Sequence, residues 1–246
     1  MLELDAREFI EMIHLLLTAE NQVREKAGEL TPILLASRDL ANDKMVASLN
    51  KLELPVSVKT AEEMVAEAKT IEALHSAMEQ LWNTFVLELD GRKFYGPVTK
   101  FASYYEQPKL FGDEVFNKFP AANSDIFEAG TCLALERGTA TVMHLMRVVE
   151  VGLKALASTP GGVAQSDWGG YIREIDDALT VRTKVAGKRT PDEQFYAEAR
   201  VTIEGVKIAW RNPTMHVENN YSPERAEEIL IAVRGLMRYL ATRLSD

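Results

Sequence analysis

The chain has 246 residues, 46% of them hydrophobic, and carries a formal net charge of −9. That is enough apolar material for one large core or two smaller ones, and the acidity argues against broad, nonspecific nucleic-acid binding. A single cysteine, Cys132, excludes an intrachain disulfide and fits a reducing compartment.

The charge is unevenly spread, with 13 basic against 20 acidic groups in residues 1–120 and 15 against 17 in residues 121–246. The second half is nearly neutral, and within it Arg182, Lys184, Lys188 and Arg189 form a basic run with no intervening acid. Such a run reads either as a solvated loop or as a contact for an RNA backbone. Met1 to Glu11 is acidic and the apolar run Ile13 to Leu17 is too short for a signal peptide. No uncharged apolar run approaches the roughly 18–20 residues of a membrane helix. A cytoplasmic protein without membrane contact is expected.

Residues 5–27 read as a helix, with Ile10, Ile13 and Leu17 roughly in phase, and a second helix is expected over about 31–50. Leu54-Pro55-Val56-Ser57 breaks the pattern. Thr60 with Glu63 then reads as a capping box opening a long helix whose apolar face is Ile71, Leu74, Met78, Leu81 and Phe85. These elements form an expected N-terminal helical domain, residues 1–88.

From 89 to 123 the pattern is irregular: Asp90-Gly91, Gly96-Pro97, Pro108, Gly112 and Pro120 punctuate Phe94, Tyr95, Phe101, Tyr104, Tyr105, Phe111, Phe116 and Phe119. So many aromatics predict a junction packed across two helical units, with a short hairpin around Asp90-Gly91.

Residues 124–246 read as a second helical domain. Ser124 or Asp125 caps a helix to about Glu136, and Cys132 sits in its apolar run as a buried filler rather than a nucleophile. The next helix covers about Thr139 to Ala157 and ends at Thr159-Pro160-Gly161-Gly162. A third runs from Trp168 to Val185, and Thr190-Pro191-Asp192-Glu193 opens a fourth with cap, proline and capping glutamate. Along this fourth helix Phe195, Ala199, Ile203, Val206 and Trp210 face the core, while Arg200, Glu204, Lys207 and Arg211 form the opposite stripe. Ser222-Pro223-Glu224 starts the last helix, with Ile229, Val233, Leu236, Leu240 and Leu244 inward.

Arg211-Asn212-Pro213-Thr214-Met215-His216 separates these last two helices and reads as a loop. Asn212 precedes a proline and is therefore expected outside helical geometry. The pair Arg211 and His216 suits phosphate chemistry. RNA is cut by its own 2′-hydroxyl when one group removes that proton, another protonates the leaving oxygen, and a cation offsets charge on phosphorus. Histidine titrates near neutrality, and arginine holds two phosphate oxygens in a planar fork. One such pair supplies one proton-transfer group, so a two-fold dimer would complete the set. The bland alternative is an arginine at its own helix C-terminus and a locally packed histidine.

A metal reading competes, because Glu11…His14 and Glu72…His75 have the Glu-x-x-His spacing of di-iron bundles. Both pairs, however, sit about 100° from the apolar stripe of their helices, so the ligands would face outward or sideways. No His-Glu-x-x-His, Cys-x-x-Cys, phosphate-binding glycine loop or nucleophile elbow occurs. No metal or cofactor is expected.

Residues 125–246, with Arg211-Asn212-Pro213-Thr214-Met215-His216 between the last two helices, resemble a HEPN domain. The family signature is an arginine, usually followed by a polar residue, with a histidine four to six residues on. The resemblance implies an all-α fold, a dimer with the motif at its interface, and metal-independent ribonuclease activity of the kind found in toxins and defence effectors. It also implies RNA as substrate and an antitoxin or regulatory protein as a further partner. The alternative within this family is a noncatalytic module for dimerisation or for RNA or nucleotide binding. Arg211, Asn212 and His216 carry the motif. Glu150 and His144, on the second helix of the domain, are supporting candidates because the family often places a polar residue there.

Overall fold

Prolines and hydroxyl caps set where several of the helices begin. The structure, a computed structural model, describes residues 28–93, 95–158, 165–186, 190–216 and 219–246. The protein is all-α, with one isolated bridge, between Glu29 and Thr70, among the described residues. The helix expected over 5–27, the break at 159–162, and Lys188 and Arg189 lie outside the described residues. Contacts divide the chain between Phe94 and Tyr95 into two compact units.

In the first unit, α1 (Pro32–Lys51) starts on Thr31, whose side chain accepts the Leu34 N–H. Then α2 (Pro55–Thr60) runs straight into a π-helical turn, Ala61–Val65, and α3 covers Ile71–Leu89. Leu49, Leu52, Leu54, Leu81 and Phe85 are sealed at the centre of this unit.

The helix start expected at Thr60 is corrected. Thr60 is itself helical, and its hydroxyl donates back to the Val56 carbonyl at 2.9 Å. The N-cap of α3 is Thr70, which accepts the Ala73 N–H at 3.1 Å. Pro55 is the reason: proline is preorganised for a first helical turn, and the Glu88 carboxylate caps that turn by accepting the N–H groups of Val56 at 2.9 Å and Ser57 at 2.6 Å.

The hairpin expected at Asp90-Gly91 is also corrected. Gly91 takes a positive φ of 76° at the end of α3, and Asp90 and Arg92 donate to the carbonyls of Leu87 and Leu89. The Arg92 guanidinium then ties the segment to the Leu52 and Glu53 carbonyls at 2.7 and 2.8 Å. A glycine that can adopt this conformation closes a helix as readily as a hairpin.

The second unit begins with the aromatic segment, so 95–123 is part of it rather than a separate junction. Phe101, Phe111 and Phe119 are fully buried in its core, and Val115 on the short α4 (Asp113–Lys118) joins them. Then follow α5 (Asn123–Ala134), α6 (Gly138–Ser158), α7 (Trp168–Ala186) and α8 (Pro191–Val206). A π turn (Lys207–Arg211), α9 (Asn212–Thr214) and α10 (Pro223–Ala241) complete the unit. Helix α6 is central and packs against α5, α7, α8 and α10. Its Leu145, Val148, Val149, Leu153 and Leu156 are wholly shielded, each such side chain contributing about 1.5–3 kcal/mol by leaving water.

Helix α5 begins at Asn123, because the 3-10 turn Pro120–Ala122 already supplies its entry. Neither Ser124 nor Asp125 is therefore its cap, and Asp125 reaches across to α6 instead. At the other end Glu136 is left-handed, with φ 57°, while the Arg137 N–H closes on the Cys132 carbonyl at 2.8 Å. A side chain in that conformation costs about 1–2 kcal/mol, and glycine avoids the cost while raising the entropy of the unfolded chain. Glu136→Gly should therefore stabilise the protein by about 0.5–1 kcal/mol in urea unfolding.

Candidate functional site

The chain from Pro191 to Thr214 is helical throughout. Thr190 accepts the Glu193 N–H at 3.2 Å and Glu193 accepts the Thr190 N–H at 2.8 Å, the expected capping box. On the buried side lie Phe195, Ala199, Ile203 and Val206. Arg200 pairs with Asp176 of α7 and with Glu204.

Arg211-Asn212-Pro213 is not a loop, which corrects the sequence expectation. Asn212 has φ −64° and ψ −49°, fully helical. Proline lacks an N–H, and in a regular helix its ring would strike the carbonyl four residues back. The π turn resolves this: the Asn212 N–H donates five residues back to the Lys207 carbonyl, and the widened turn accommodates the ring. The chain leaves the helix only after Thr214, through a turn in which the His216 N–H donates to the Pro213 carbonyl at 3.0 Å.

The Trp210, Asn212 and Pro213 carbonyls at this helix end already have donors. The Thr214 hydroxyl donates to the Trp210 carbonyl at 2.6 Å and lies 3.1 Å from the Tyr221 hydroxyl. The Asn219 side-chain amide donates to the Pro213 carbonyl at 3.1 Å, and the Met215 N–H to that of Asn212 at 3.2 Å. Tyr221 is fixed in turn, its N–H donating to the Thr139 hydroxyl at the start of α6 at 3.0 Å. Arg211 is therefore not spent as a C-terminal cap. Among the described residues the side chains of Arg211, Asn212 and His216 make no hydrogen bond or ion pair; Arg211 is half-buried, Asn212 and His216 exposed.

Glu150 of α6 faces this helix end. Its carboxylate accepts from the Trp168 indole at 3.1 Å and from Lys154 at 2.8 Å. Burial pushes the Glu150 carboxyl up, but the hydrogen bonds from Lys154 and Trp168, with the charges of Lys154 and Arg211, outweigh it and hold it below the usual carboxylate range. A depressed folded-state value stabilises the fold above the unfolded value near 4.5, and this is lost as pH falls through the lower folded value. Glu150→Gln should therefore be less stable than wild type at pH 7 in urea unfolding, and the difference should shrink as pH drops below 4.5.

His144 is engaged elsewhere. Its Nδ1 lies 2.9 Å from the Asp125 carboxylate, to which Arg147 Nε also donates at 2.8 Å. Six residues separate it from Glu150, about 9 Å along the helix. Cys132 is half-buried; burial, with the nearby Glu128 charge, pushes its thiol up, which disfavours the thiolate a nucleophile needs. Arg182 and Lys184 lie on α7, with their side chains outside the described residues.

Of the Glu-x-x-His pairs, Glu11 and His14 lie outside the described residues. Glu72 is exposed and accepts the Gly28 N–H at 3.1 Å, and neither it nor His75 belongs to a metal-ligating group among the described residues. No helix of the described residues is long and apolar enough to cross a membrane.

Sequence reasoning missed Lys154, Trp168, Thr214 and Tyr221. Lys154 could have been found, since it lies four residues after Glu150 on one helix face. Trp168 and Tyr221 meet their partners across the fold, and nothing local marks them. Comparison of the chain with protein-family models, curated proteins and solved structures returned no match.

Proposed function

We propose that the C-terminal unit is a metal-independent, dimeric endoribonuclease of the HEPN type, acting on RNA in the cytoplasm as a toxin or defence effector. The observation that carries the reading is the pair Arg211 and His216 at one helix end, neither side chain held by a hydrogen bond or ion pair among the described residues, with the Glu150 charge acting on the guanidinium. A guanidinium and an imidazole not tied down by such bonds are available to a phosphodiester. Arg211 grips the phosphate and offsets the charge that builds in the transition state. His216 of one copy takes the 2′-hydroxyl proton, and His216 of the other gives a proton to the departing 5′-oxygen. The O2′–P bond forms as the P–O5′ bond breaks, leaving a 2′,3′-cyclic phosphate and a 5′-hydroxyl. Asn212 orients the phosphate, and the Glu150 charge aims the guanidinium before RNA arrives. Arg182, Lys184, Lys188 and Arg189 are the candidates for holding the RNA backbone.

Exposed apolar side chains near the motif support a dimer. Val201 and Ile208 on the motif helix and Met215 in the turn after it are 62%, 65% and 62% exposed. Apolar side chains on the helix and turn that carry Arg211 and His216 would bring two copies of the motif together. The test is cleavage of single-stranded RNA in excess EDTA, with product ends identified, by wild type and by Ile208→Glu. Wild type should be a dimer giving 2′,3′-cyclic ends. Ile208→Glu should be a folded monomer at least tenfold slower. A fully active monomer would overturn the two-copy mechanism; tight RNA binding without cleavage would favour a noncatalytic binding module.

A further inference from the structure

Asp125, Glu128 and Cys132 lie along α5, and His144 stands opposite on α6. One ligand atom from each of Glu128, Cys132 and His144 can be chosen so that all lie within 4.8 Å of one another. From these four residues we infer that the α5–α6 face holds a divalent zinc-class transition metal, a site separate from the RNA chemistry and independent of it.

The donor set is selective. A thiolate with an imidazole and one carboxylate matches the borderline softness of Zn²⁺ and disfavours Mg²⁺ and Ca²⁺, which prefer oxygen alone. Three protein ligands leave one position of a tetrahedron to water.

The outer contact orients the ring. The Asp125 carboxylate already accepts from Arg147 and lies 2.9 Å from His144 Nδ1. An ionised carboxylate only accepts, so Nδ1 carries the proton and Nε2 is left with its lone pair for a metal. This carboxylate–histidine arrangement fixes the tautomer and raises the basicity of ligating histidines.

The remaining geometry is within reach. Glu128 and Cys132 are four residues apart on one helix and so project from the same face. Ligands about 2.0–2.3 Å from zinc stand about 3.3–3.8 Å from one another in a tetrahedron. From separations of at most 4.8 Å the closing movement is small, and Glu128, which is exposed and makes no ion pair among the described residues, is free to rotate toward the other two. As the metal binds, the Cys132 thiol gives its proton to solvent and the two anionic ligands neutralise the dication. The ion would pin α5 to the central helix α6.

The test is titration of the full chain with Co²⁺, a spectroscopic stand-in for Zn²⁺, followed by Zn²⁺ competition. Wild type should take up one equivalent with the thiolate-to-cobalt charge-transfer band in the near ultraviolet, which Zn²⁺ then abolishes. Cys132→Ser should lose the band, and Glu128→Gln, at an exposed helical position, should bind more weakly with an unchanged melting curve in the absence of metal. Asp125→Asn should weaken binding about 10–100-fold. Cobalt uptake without a thiolate band, no uptake, or equal affinity in Cys132→Ser would each overturn the assignment. Because the readout is absorbance of the bound ion, the result is independent of whether the protein cuts RNA.

Discussion

His216→Ala should lose RNA cleavage by about 10²–10⁴-fold, the usual contribution of a general acid or base, without change in the urea midpoint. The imidazole is exposed and unpartnered among the described residues, so its removal leaves no buried group unsatisfied. Arg211→Ala should be comparably inactive, and Arg211→Lys should not restore the rate, because an ammonium cannot offer the two parallel N–H donors that clasp adjacent phosphate oxygens. The variants separate by substrate binding: Arg211→Ala should weaken RNA affinity and rate together, whereas His216→Ala should lower mainly the rate. Unfolding of either variant would instead favour a packing role for that side chain. Wild-type activity in both would end the proposed chemistry.

Gly138→Ala should destabilise the protein by about 3 kcal/mol, the upper part of the range for overpacking a tight contact, read as a fall in the urea midpoint. A methyl group there would lie 2.4 Å from the Tyr221 carbonyl oxygen, 2.8 Å from the Ser222 carbonyl oxygen and 2.9 Å from the Ser222 carbonyl carbon. All three atoms are backbone, so no side-chain rotation relieves the clash. The segment that must yield also carries the Tyr221 contact to Thr214, so cleavage should fall more than the lost stability accounts for. A midpoint within experimental error of wild type would show that residues 221–222 can move away freely.

The helical architecture was legible wherever local chemistry decided it. Thr190-Pro191-Asp192-Glu193 contains its own cap, and Ser222-Pro223-Glu224 starts α10 as read. Thr60 misled because its capping-box spacing was real while Pro55 had already opened a helix through it. Asn212 misled because the rule for residues before proline holds for regular backbone, and a π turn is the exception that accommodates it. The motif residues Arg211 and His216 stand at one helix end, whereas part of the surroundings of Glu150 comes from residues far apart in the chain. No local pattern announces that Trp168 will donate to Glu150. His144, drawn toward the motif by resemblance, is bound instead to Asp125, nineteen positions earlier.

The π turn before Asn212 makes the motif sensitive to length rather than to composition. It spends one more residue per turn than the helix that leads into it, and each residue in a helix swings its successors by about 100° around the axis. Removing one residue between Lys207 and Ala209 would return the turn to regular spacing, and the Pro213 ring would then meet the carbonyl four residues back. A lineage that lost that residue would keep every chemical group of the motif and have to kink or end the helix beneath them.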